Sequence, residues 1–287
     1  MLLNRNKKQN ADAELISHRH FFVNPIVNQL DIFDLPPQKT VAIIGGGPAG
    51  LMAAEVIASA GHAVSVYDAM PSVGRKFLLA GVGGMNITHA EPKADFLSRY
   101  TANNQFTNSL NAFDADTLRN WVHGLGIETF VGTSGRVFPK DMKAAPLLRA
   151  WLHRLRELGV KIYPRHRWLG WDENKCLLFS AHEEGATTTK SIAADAVLLA
   201  LGGASWQRLG SDGAWVPLLR ELDVQVNELV PSNCGFDAQW SDLLREQFSG
   251  EPLHGVGLSC VDVQGRTRSI LSEAILSTYG IEGTGIY

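Results

Sequence analysis

The sequence predicts an α/β protein built on a parallel β-sheet, and three features early in the chain indicate this fold. Residues 41–44 (VAII) form a short apolar run, which is typical of a strand buried on both faces of a parallel sheet. Glycines follow in the spacing G-x-G-x-x-G, and an alanine-rich segment of helical character (AGLMAAEVIASAG) comes next. Residues 62–68 (HAVSVYD) then alternate as a second strand does, so we expect a strand–helix–strand unit here.

The glycine-rich turn between the first strand and the helix predicts a site for the diphosphate of a nucleotide. Gly45 permits a tight turn, Gly47 lets the backbone approach a diphosphate, and Gly50 lets the helix pack closely on the strand. The start of a helix also directs unpaired N–H groups and a partial positive charge at such an anion. The residues expected at the diphosphate are Gly45, Gly46, Gly47, Pro48, Ala49 and Gly50.

Asp68, at the end of the second predicted strand, is the expected ribose ligand. It lies 23 positions after Gly45, close to the roughly 20 residues that precede the ribose-binding acid of a dinucleotide site. A carboxylate accepts hydrogen bonds from ribose hydroxyls and repels a 2′-phosphate, so NADP is disfavoured at this site. The loop and this acid leave FAD and NAD open as the ligand.

Two further segments favour FAD over NAD. Residues 69–89 contain four glycines, two cations and several polar side chains, which favour an extended loop along a long cofactor over another strand–helix unit. A predicted buried strand from Ala196 to Leu201 later runs into Gly202-Gly203. Flavoproteins of the two-dinucleotide-fold class have a comparable strand that ends in a glycine-containing turn beside the cofactor.

The chain resembles the BaiN/YhiN-like bacterial NAD(P)/FAD-dependent oxidoreductases in four segments: VAIIGGGPAG (41–50), GRKFLLAGVGGMNITH (74–89), SGRVFPKDMKAAPLLRAWL (134–152) and LLALGGASWQRLGSDGAW (198–215). The resemblance spans Thr40 to Tyr287 and implies a Rossmann-like FAD-binding domain of the two-dinucleotide-fold flavoprotein type. It implies FAD as the cofactor. A second G-x-G-x-x-G is absent from the sequence, so NAD(P)H is expected only as a transient co-substrate in the substrate cleft.

The domain organisation follows from composition and from this resemblance. We expect residues 1–39, which end just after Pro36-Pro37, to form a poorly ordered N-terminal extension. Residues 40–230 are the expected FAD-binding domain, and residues 231–287 the start of an inserted β-rich substrate domain. Relatives continue beyond the position of Tyr287, so the resemblance implies a chain truncated at its C-terminus, with an incomplete second domain.

The resemblance and the residue types also give candidate cofactor ligands outside the diphosphate loop. Arg75 and Lys76 are expected to contact the cofactor, and Asn86 and Thr88 to hydrogen-bond the flavin. Asp212 is either a ribityl contact or a helix N-cap. The further predicted cofactor ligands are Arg75, Lys76, Gly81, Asn86, Thr88, Gly202, Gly203 and Asp212.

Two other side chains are candidates for chemistry, each with a structural alternative. His89 either donates a proton, because histidine titrates near neutrality, or holds the fold together by hydrogen bonds. Arg136 either binds an anionic substrate or closes a hairpin. The sequence leaves the catalytic residues unassigned. Metal-ligand clusters and Ser-His-Asp sets at a recognisable spacing are absent from it, which disfavours metalloenzymes and hydrolases.

The remaining elements are predicted from helical periodicity and turn signals. They are a helix capped at Asp114 and ending near Gly126, a hairpin over residues 127–139, a helix within residues 141–159, a hairpin excursion at 172–192, a helix capped by Ser211 or Asp212, and short strands joined by a turn at Gln264-Gly265.

Composition narrows the functional class further. Hydrophobic residues make up 45% of the chain and charged residues 19%, which permits a large core and excludes global disorder. The net charge of −3, without a basic block, argues against nucleic acid as a partner. Three scattered cysteines favour a reduced, cytoplasmic protein. Apolar runs long enough to cross a membrane are absent from the sequence, so a small-molecule substrate is the expected partner.

Three functional hypotheses remain. The first is a FAD-dependent oxidoreductase that takes hydride from NAD(P)H and passes it to a small organic acceptor, with a conjugated carbon–carbon double bond as one option. The second is a non-catalytic FAD-binding protein or an inactive remnant. The third is an RNA-modifying flavoprotein, which the net charge of −3 does not favour.

Overall fold

A computed structural model describes residues 37–80, 84–100, 104–231 and 233–287. The helices in these ranges are α1 (Pro48–Ser59), α2 (Arg75–Leu79), α3 (Lys93–Ser98), α4 (Asn104–Ala112), α5 (Ala115–Gly124), α6 (Ala144–Glu157), α7 (Trp215–Arg220) and α8 (Asp242–Gln247). The strands are β1 (Thr40–Ile44), β2 (Ala63–Tyr67), β3 (Thr88–His89), β4 (Thr129–Val131), β5 (Arg136–Pro139), β6 (Lys161–Tyr163), β7 (His166–Trp171), β8 (Leu177–Glu183), β9 (Ala186–Ile192), β10 (Ala196–Leu199), β11 (Phe236–Asp237), β12 (Pro252–Val261), β13 (Thr267–Leu276) and β14 (Gly280–Glu282).

A four-stranded parallel sheet in the order β10-β1-β2-β6 forms the centre of the fold, as the sequence predicts. Ile43 of β1 is aligned with Val66 of β2 on one side and with Leu198 of β10 on the other. β1 therefore lies between the strand that follows it and one that comes much later. Such a reversal of strand order opens a crevice at the carboxyl ends of the strands, where α/β proteins bind ligands.

Side chains of β1 alternate between two hydrophobic cores, one on each face of the sheet. Val41 and Ile43 pack with α1, α5 and α6, whereas Ala42 and Ile44 pack with the antiparallel sheet β7-β8-β9. Because both faces are covered, the apolar run of β1 is almost fully buried. The result is a three-layer fold of helices, parallel sheet and antiparallel sheet.

Glu55 fastens the helical layer together. Its carboxylate accepts hydrogen bonds from the indole N–H of Trp121 on α5 (3.1 Å) and of Trp151 on α6 (2.7 Å). The Arg154 guanidinium adds an ion pair at 2.9 Å. Three helices thus share one largely buried acceptor, and α1 is held rigidly over the sheet.

Several predicted elements are confirmed. Asp114 caps α5 by accepting the backbone N–H of Thr117 at 2.9 Å, and α6 follows with Leu148, Trp151 and Leu155 buried. The predicted hairpins are present as the antiparallel pairs β4–β5, β8–β9 and β12–β13.

Three local predictions are wrong. The segment after Gly74 is not wholly extended, because Arg75–Leu79 contains no glycine or proline and forms helix α2, whose Phe77 packs against Trp151. The strand predicted as buried to Leu201 ends at Leu199, and its side chains are partly exposed because it has one neighbour within the described sheet. The helix predicted to be capped by Ser211 or Asp212 begins only at Trp215, with Ala214 at the N-cap.

The C-terminal part of the described chain contains a second β-structure. β11, β14, β13 and β12 form an antiparallel sheet in that order, dominated by the long β12–β13 hairpin. Much of its apolar surface is exposed, including Val263 and Leu271. Within the ranges that the structure describes, no helix is both long and apolar enough to cross a membrane.

Candidate functional site

A cavity of about 640 Å³ lies at the carboxyl ends of β1, β2 and β10. This is the crevice that the strand order predicts. Its walls come from the turn after β1, the segment from Asp68 to α2, the turn after β10, and the chain leading into α7. The predicted residues that line it are Gly45, Gly46, Gly47, Pro48, Ala49, Asp68, Arg75, Lys76 and Gly202.

The glycines of the turn after β1 are required by packing at three positions. A Cβ atom at Gly45, where φ is +109°, would lie 2.2 Å from the carbonyl oxygen of Ala200. One at Gly46 would lie 2.2 Å from Val73 Cγ1, and one at Gly50 would lie 1.9 Å from the Gly45 carbonyl oxygen. Because glycine has no Cβ at these three positions, α1 and β10 can lie close to the turn.

Gly47 differs from its neighbours because it faces the cavity. A Cβ atom built on it has no heavy atom within 4 Å among the described residues, and Gly47 lines the cavity with Pro48 and Ala49. Gly47 is the N-cap of α1, so the first N–H groups of the helix point outward here without helical acceptors. The space and the donors together form a cradle for an anion.

Asp68 stands beside this cradle at the end of β2. Its Oδ2 accepts the backbone N–H of Gly46 and its Oδ1 accepts that of Met70, both at 2.7 Å. Each carboxylate oxygen retains a further acceptor position. Burial raises the pKa of the Asp68 carboxyl above its usual value, although these two N–H groups and the charge of Arg75 oppose the rise.

Two cations on α2 also line the cavity. Arg75 donates a hydrogen bond to Ser72 Oγ at 3.4 Å. Lys76 Nζ reaches across to Ser205 Oγ, 2.7 Å away, in the segment after β10. Their positive charges line a cavity that otherwise has Asp68 as its acidic side chain.

Three buried polar atoms in the cavity walls have no hydrogen-bond partner in the described part of the chain. They are Arg75 Nε, Ser211 Oγ and Trp215 Nε1. Buried polar atoms are rarely left without partners, so their concentration around one cavity indicates a polar ligand. With the open cradle at Gly47, they fit a group that carries both a diphosphate and hydrogen-bonding rings.

Ser211, Trp215 and Met70 are cavity residues that the sequence predictions missed as ligands. The segment GSDGAW (210–215) contains two of them, Ser211 and Trp215. In the same segment the sequence predicts Asp212 as a ligand. Its side chain pairs with Arg167 at 2.9 Å and accepts a hydrogen bond from the Ala214 N–H. Burial raises the pKa of Asp212, but the Ala214 N–H and Arg167 outweigh it, so the pKa is below its usual value.

Other predicted ligands lie outside the cavity lining. Asn86 and Thr88 precede and begin β3, and Gly203 follows the lining residue Gly202. These three stay predictions, as does the ribityl contact of Asp212. Gly81 lies outside the described residues.

The two candidates for chemistry are also absent from the cavity lining. His89 lies on β3 with Nε2 3.0 Å from the Ser134 carbonyl oxygen, and its ring packs against Gly135. This contact favours its structural alternative. Arg136 lies on β5 of the β4–β5 hairpin, opposite His89 of β3, and is exposed.

The fold and the cavity together define a Rossmann-type nucleotide-binding protein. Residues 39–281 match the family described as HI0933-like protein Rossmann domain, and the chain belongs to this family of flavoprotein oxidoreductases.

A characterised relative is the 3-dehydro-bile acid delta(4,6)-reductase of Clostridium scindens. The two proteins are 30% identical over 200 residues, which cover 67% of this chain and 46% of the reductase. The chain thus matches somewhat less than half of that enzyme's length.

Three solved structures resemble parts of this chain. The 3-ketosteroid-delta4-(5alpha)-dehydrogenase of Rhodococcus jostii RHA1 is 14% identical over 67% of this chain and 55% of its own, with a TM-score of 0.44. THI4 of Thermovibrio ammonificans is 18% identical over 85% of this chain and 80% of its own, with a TM-score of 0.39. CtdE, solved with FAD and a substrate, is 18% identical over 57% of this chain and 38% of its own, with a TM-score of 0.28.

Proposed function

We propose that this protein binds FAD in the cavity at the carboxyl edge of the parallel sheet and acts as an FAD-dependent oxidoreductase. The proposal rests on one observation: three features surround the same cavity. They are the open cradle at Gly47, the Asp68 carboxylate, and buried polar atoms that have no partner among the described residues. Membership of a flavoprotein oxidoreductase family supports the same reading.

The turn after β1 holds the diphosphate in this proposal. Gly47 leaves room for phosphate oxygens, and the first N–H groups of α1 donate hydrogen bonds to them. The partial positive charge of a helix N-terminus adds about 0.3–1 kcal/mol per favourable interaction. Since Glu55 anchors α1 to α5 and α6, these donors keep their positions when the ligand is bound.

Asp68 holds the adenosine ribose. Its remaining acceptor positions receive the ribose hydroxyls, while the Gly46 and Met70 N–H groups fix the carboxylate in place. Only the ionised carboxylate can accept all of these hydrogen bonds together. A protonated Asp68 therefore binds the ribose more weakly.

Arg75 and Lys76 give the part of the cavity lined by α2 a positive charge. When bound, the flavin supplies hydride transfer from NAD(P)H to an organic acceptor. The two cations stabilise negative charge in the cavity, whether on the diphosphate or on the reduced ring. The polar atom of Arg75 that lacks a described partner, Nε, is free to donate to such a group.

The proposed acceptor is a compound with a conjugated carbon–carbon double bond. This part of the proposal rests on the similarity to the 3-dehydro-bile acid delta(4,6)-reductase. A steroid-like enone is therefore the first acceptor to test.

The experiment is an anaerobic reduction of the purified protein followed by its visible spectrum. The expected result is a yellow protein that bleaches with NADH or NADPH and regains its colour when a steroid enone is added. Colourless protein that takes up no FAD contradicts the proposed cofactor. Yellow protein that neither nucleotide bleaches contradicts the oxidoreductase and leaves a non-catalytic FAD-binding protein.

A further inference from the structure

Ser211 and Trp215 form a polar corner of the cavity, separate in sequence from the diphosphate cradle and from the two cations of α2. Ser211 is buried, with 6% of its surface exposed. Its hydroxyl and the indole N–H of Trp215 both lack hydrogen-bond partners among the residues described, and both residues line the cavity. A buried hydroxyl and a buried indole N–H usually have partners, so each points to a ligand atom.

This corner is rigid. The backbone of Ser211 exchanges two hydrogen bonds of 3.1 Å with that of Trp206. The next residue, Asp212, forms its ion pair with Arg167 of β7. The Trp215 ring packs against the core beneath the ends of β1 and β2, which includes Ile44 and Tyr67. The two donors are therefore held in place without a ligand.

The corner lies at the ribose end of the cavity. A Cβ atom at Gly210 would be 2.7 Å from Met70 Cγ, and the Met70 N–H donates to Asp68. Ser211 is thus one residue from a direct contact with the segment that carries the ribose acid. Met70, Leu209 and Leu219 add apolar walls beside it.

The chemistry of the corner fits an uncharged, flat ring with hydrogen-bonding edges. An indole N–H only donates, so it requires a ring nitrogen or carbonyl oxygen, whereas a hydroxyl donates or accepts. Adenine offers ring-nitrogen acceptors and an exocyclic amine, and apolar side chains suit its faces.

We propose that Ser211 and Trp215 recognise the adenine base of the bound dinucleotide, with the Trp215 N–H donating to ring nitrogen N1 and the Ser211 hydroxyl accepting a hydrogen bond from the neighbouring exocyclic amine. The inference rests on the proposed function, because FAD is the dinucleotide that brings adenine to this end of the cavity. It assigns specificity for the adenosine half to a segment, GSDGAW, that precedes and begins α7.

The test compares ligand affinities of the full chain by isothermal titration calorimetry with FAD, ADP, inosine diphosphate and FMN. The variants are Ser211→Ala and Trp215→Phe, which remove one polar atom or group each and keep the packing. Matched controls are Ser259→Ala, on the exposed strand β12, and Trp171→Phe, whose ring packs beside Trp168 outside the cavity lining.

The expected result is a loss of about three- to tenfold in affinity for both FAD and ADP in each variant, since one neutral hydrogen bond is removed. FMN affinity stays unchanged, because FMN lacks adenosine. Wild-type protein prefers ADP to inosine diphosphate, because N1 of hypoxanthine carries a hydrogen and cannot accept the Trp215 N–H, and Trp215→Phe reduces that preference towards one. A merely structural role for Trp215 would not change this ratio, and the controls bind as wild type does.

The outcomes separate the two proposals. Unchanged FAD and ADP affinities in both variants, or equal wild-type affinities for ADP and inosine diphosphate, overturn the adenine corner alone. Failure of the wild-type protein to bind FAD overturns the proposed function.

Discussion

The turn after β1 and the C-terminal hairpin β12–β13 are both rich in glycine, but their glycines have opposite surroundings. In the turn, Cβ atoms at Gly45 and Gly50 would overlap backbone atoms. In the hairpin, Cβ atoms at Gly257 and Gly265 would meet nothing within 4 Å among the described residues. The apolar side chains differ in the same way: Ile43 is fully buried, whereas 79% of Leu271 is exposed.

Glycine content alone therefore does not identify a binding loop. A binding loop needs tightly packed neighbours that fix its backbone, and one position where the absence of a side chain leaves room for a ligand. The turn after β1 has both, with Gly47 as the open position. Hairpin glycines stand in open surroundings, and changes there should have small effects.

The largest expected effect is the loss of FAD binding in Gly47→Val. The valine side chain would occupy the cradle at the start of α1, so flavin should no longer co-purify at measurable stoichiometry. Gly257→Val is the matched control, because this position also has open space and its φ lies outside the left-handed region. The absorbance ratio of flavin to protein measures both variants, and normal flavin content in Gly47→Val would remove the loop from the site.

Glu55→Ala should cause the next largest effect, a loss of about 2–4 kcal/mol in the free energy of unfolding. The change leaves the Trp121 and Trp151 N–H groups and the Arg154 charge without their shared acceptor. Glu273→Ala is the counterpart in the C-terminal sheet, where the exposed pair with His254 should contribute less than about 1 kcal/mol. Urea denaturation measures both. Equal losses would contradict the contrast between the two regions.

Asp68→Asn should weaken FAD binding about tenfold, because a charge-assisted hydrogen bond to ribose is replaced by a neutral one. Since the Asp68 pKa is raised, the affinity of the wild-type protein should fall as pH drops through that raised pKa and stay level above it. The variant should lose this pH dependence. Identical pH profiles for the two proteins would exclude Asp68 as the ribose ligand.

Asp68 should affect the stability of the ligand-free protein with the opposite sign. Its pKa is higher in the folded protein than in the unfolded chain, so ionisation opposes folding. The stability contributed by the protonated form is fully present below the unfolded pKa and is lost as pH rises through the folded pKa. Denaturation of the ligand-free protein across this window checks the sign.

The smallest expected effects concern two helix caps. Asp114→Ala should cost about 1 kcal/mol, because α5 loses its cap to Thr117. The pKa of Asp114 is lowered, chiefly by its hydrogen bond from Lys93, so this stability is present above the unfolded pKa and is lost as pH falls towards the folded one. Ser241→Ala should cost less, since its cap to Leu244 is long at 3.4 Å. Thermal unfolding compares them, and a larger cost at Ser241 would contradict the ranking.

Much of the nucleotide-binding half could be predicted from the sequence because its signals are local. The apolar run of β1, the spacing of Gly45, Gly47 and Gly50, and the terminal position of Asp68 each reflect a constraint within a few residues of chain. The parallel pairing of β1 with β2 and the burial of the strand followed from these patterns.

The features that the sequence did not predict depend on contacts between segments far apart in the chain. Ser211 and Trp215 reach the cavity because the chain after β10 packs against Met70, about 140 residues earlier, and local spacing carries no sign of this contact. The helical form of Arg75–Leu79 follows from its packing on α6, which outweighed the glycine-rich composition around it.

The most direct measurement is a crystal structure of the protein grown with FAD. We expect diphosphate oxygens at about 2.7–3.2 Å from backbone nitrogens at the start of α1, with ribose hydroxyls on the Asp68 carboxylate and adenine beside Ser211. Flavin bound elsewhere on the molecule, or a cavity without density for the dinucleotide, would contradict it.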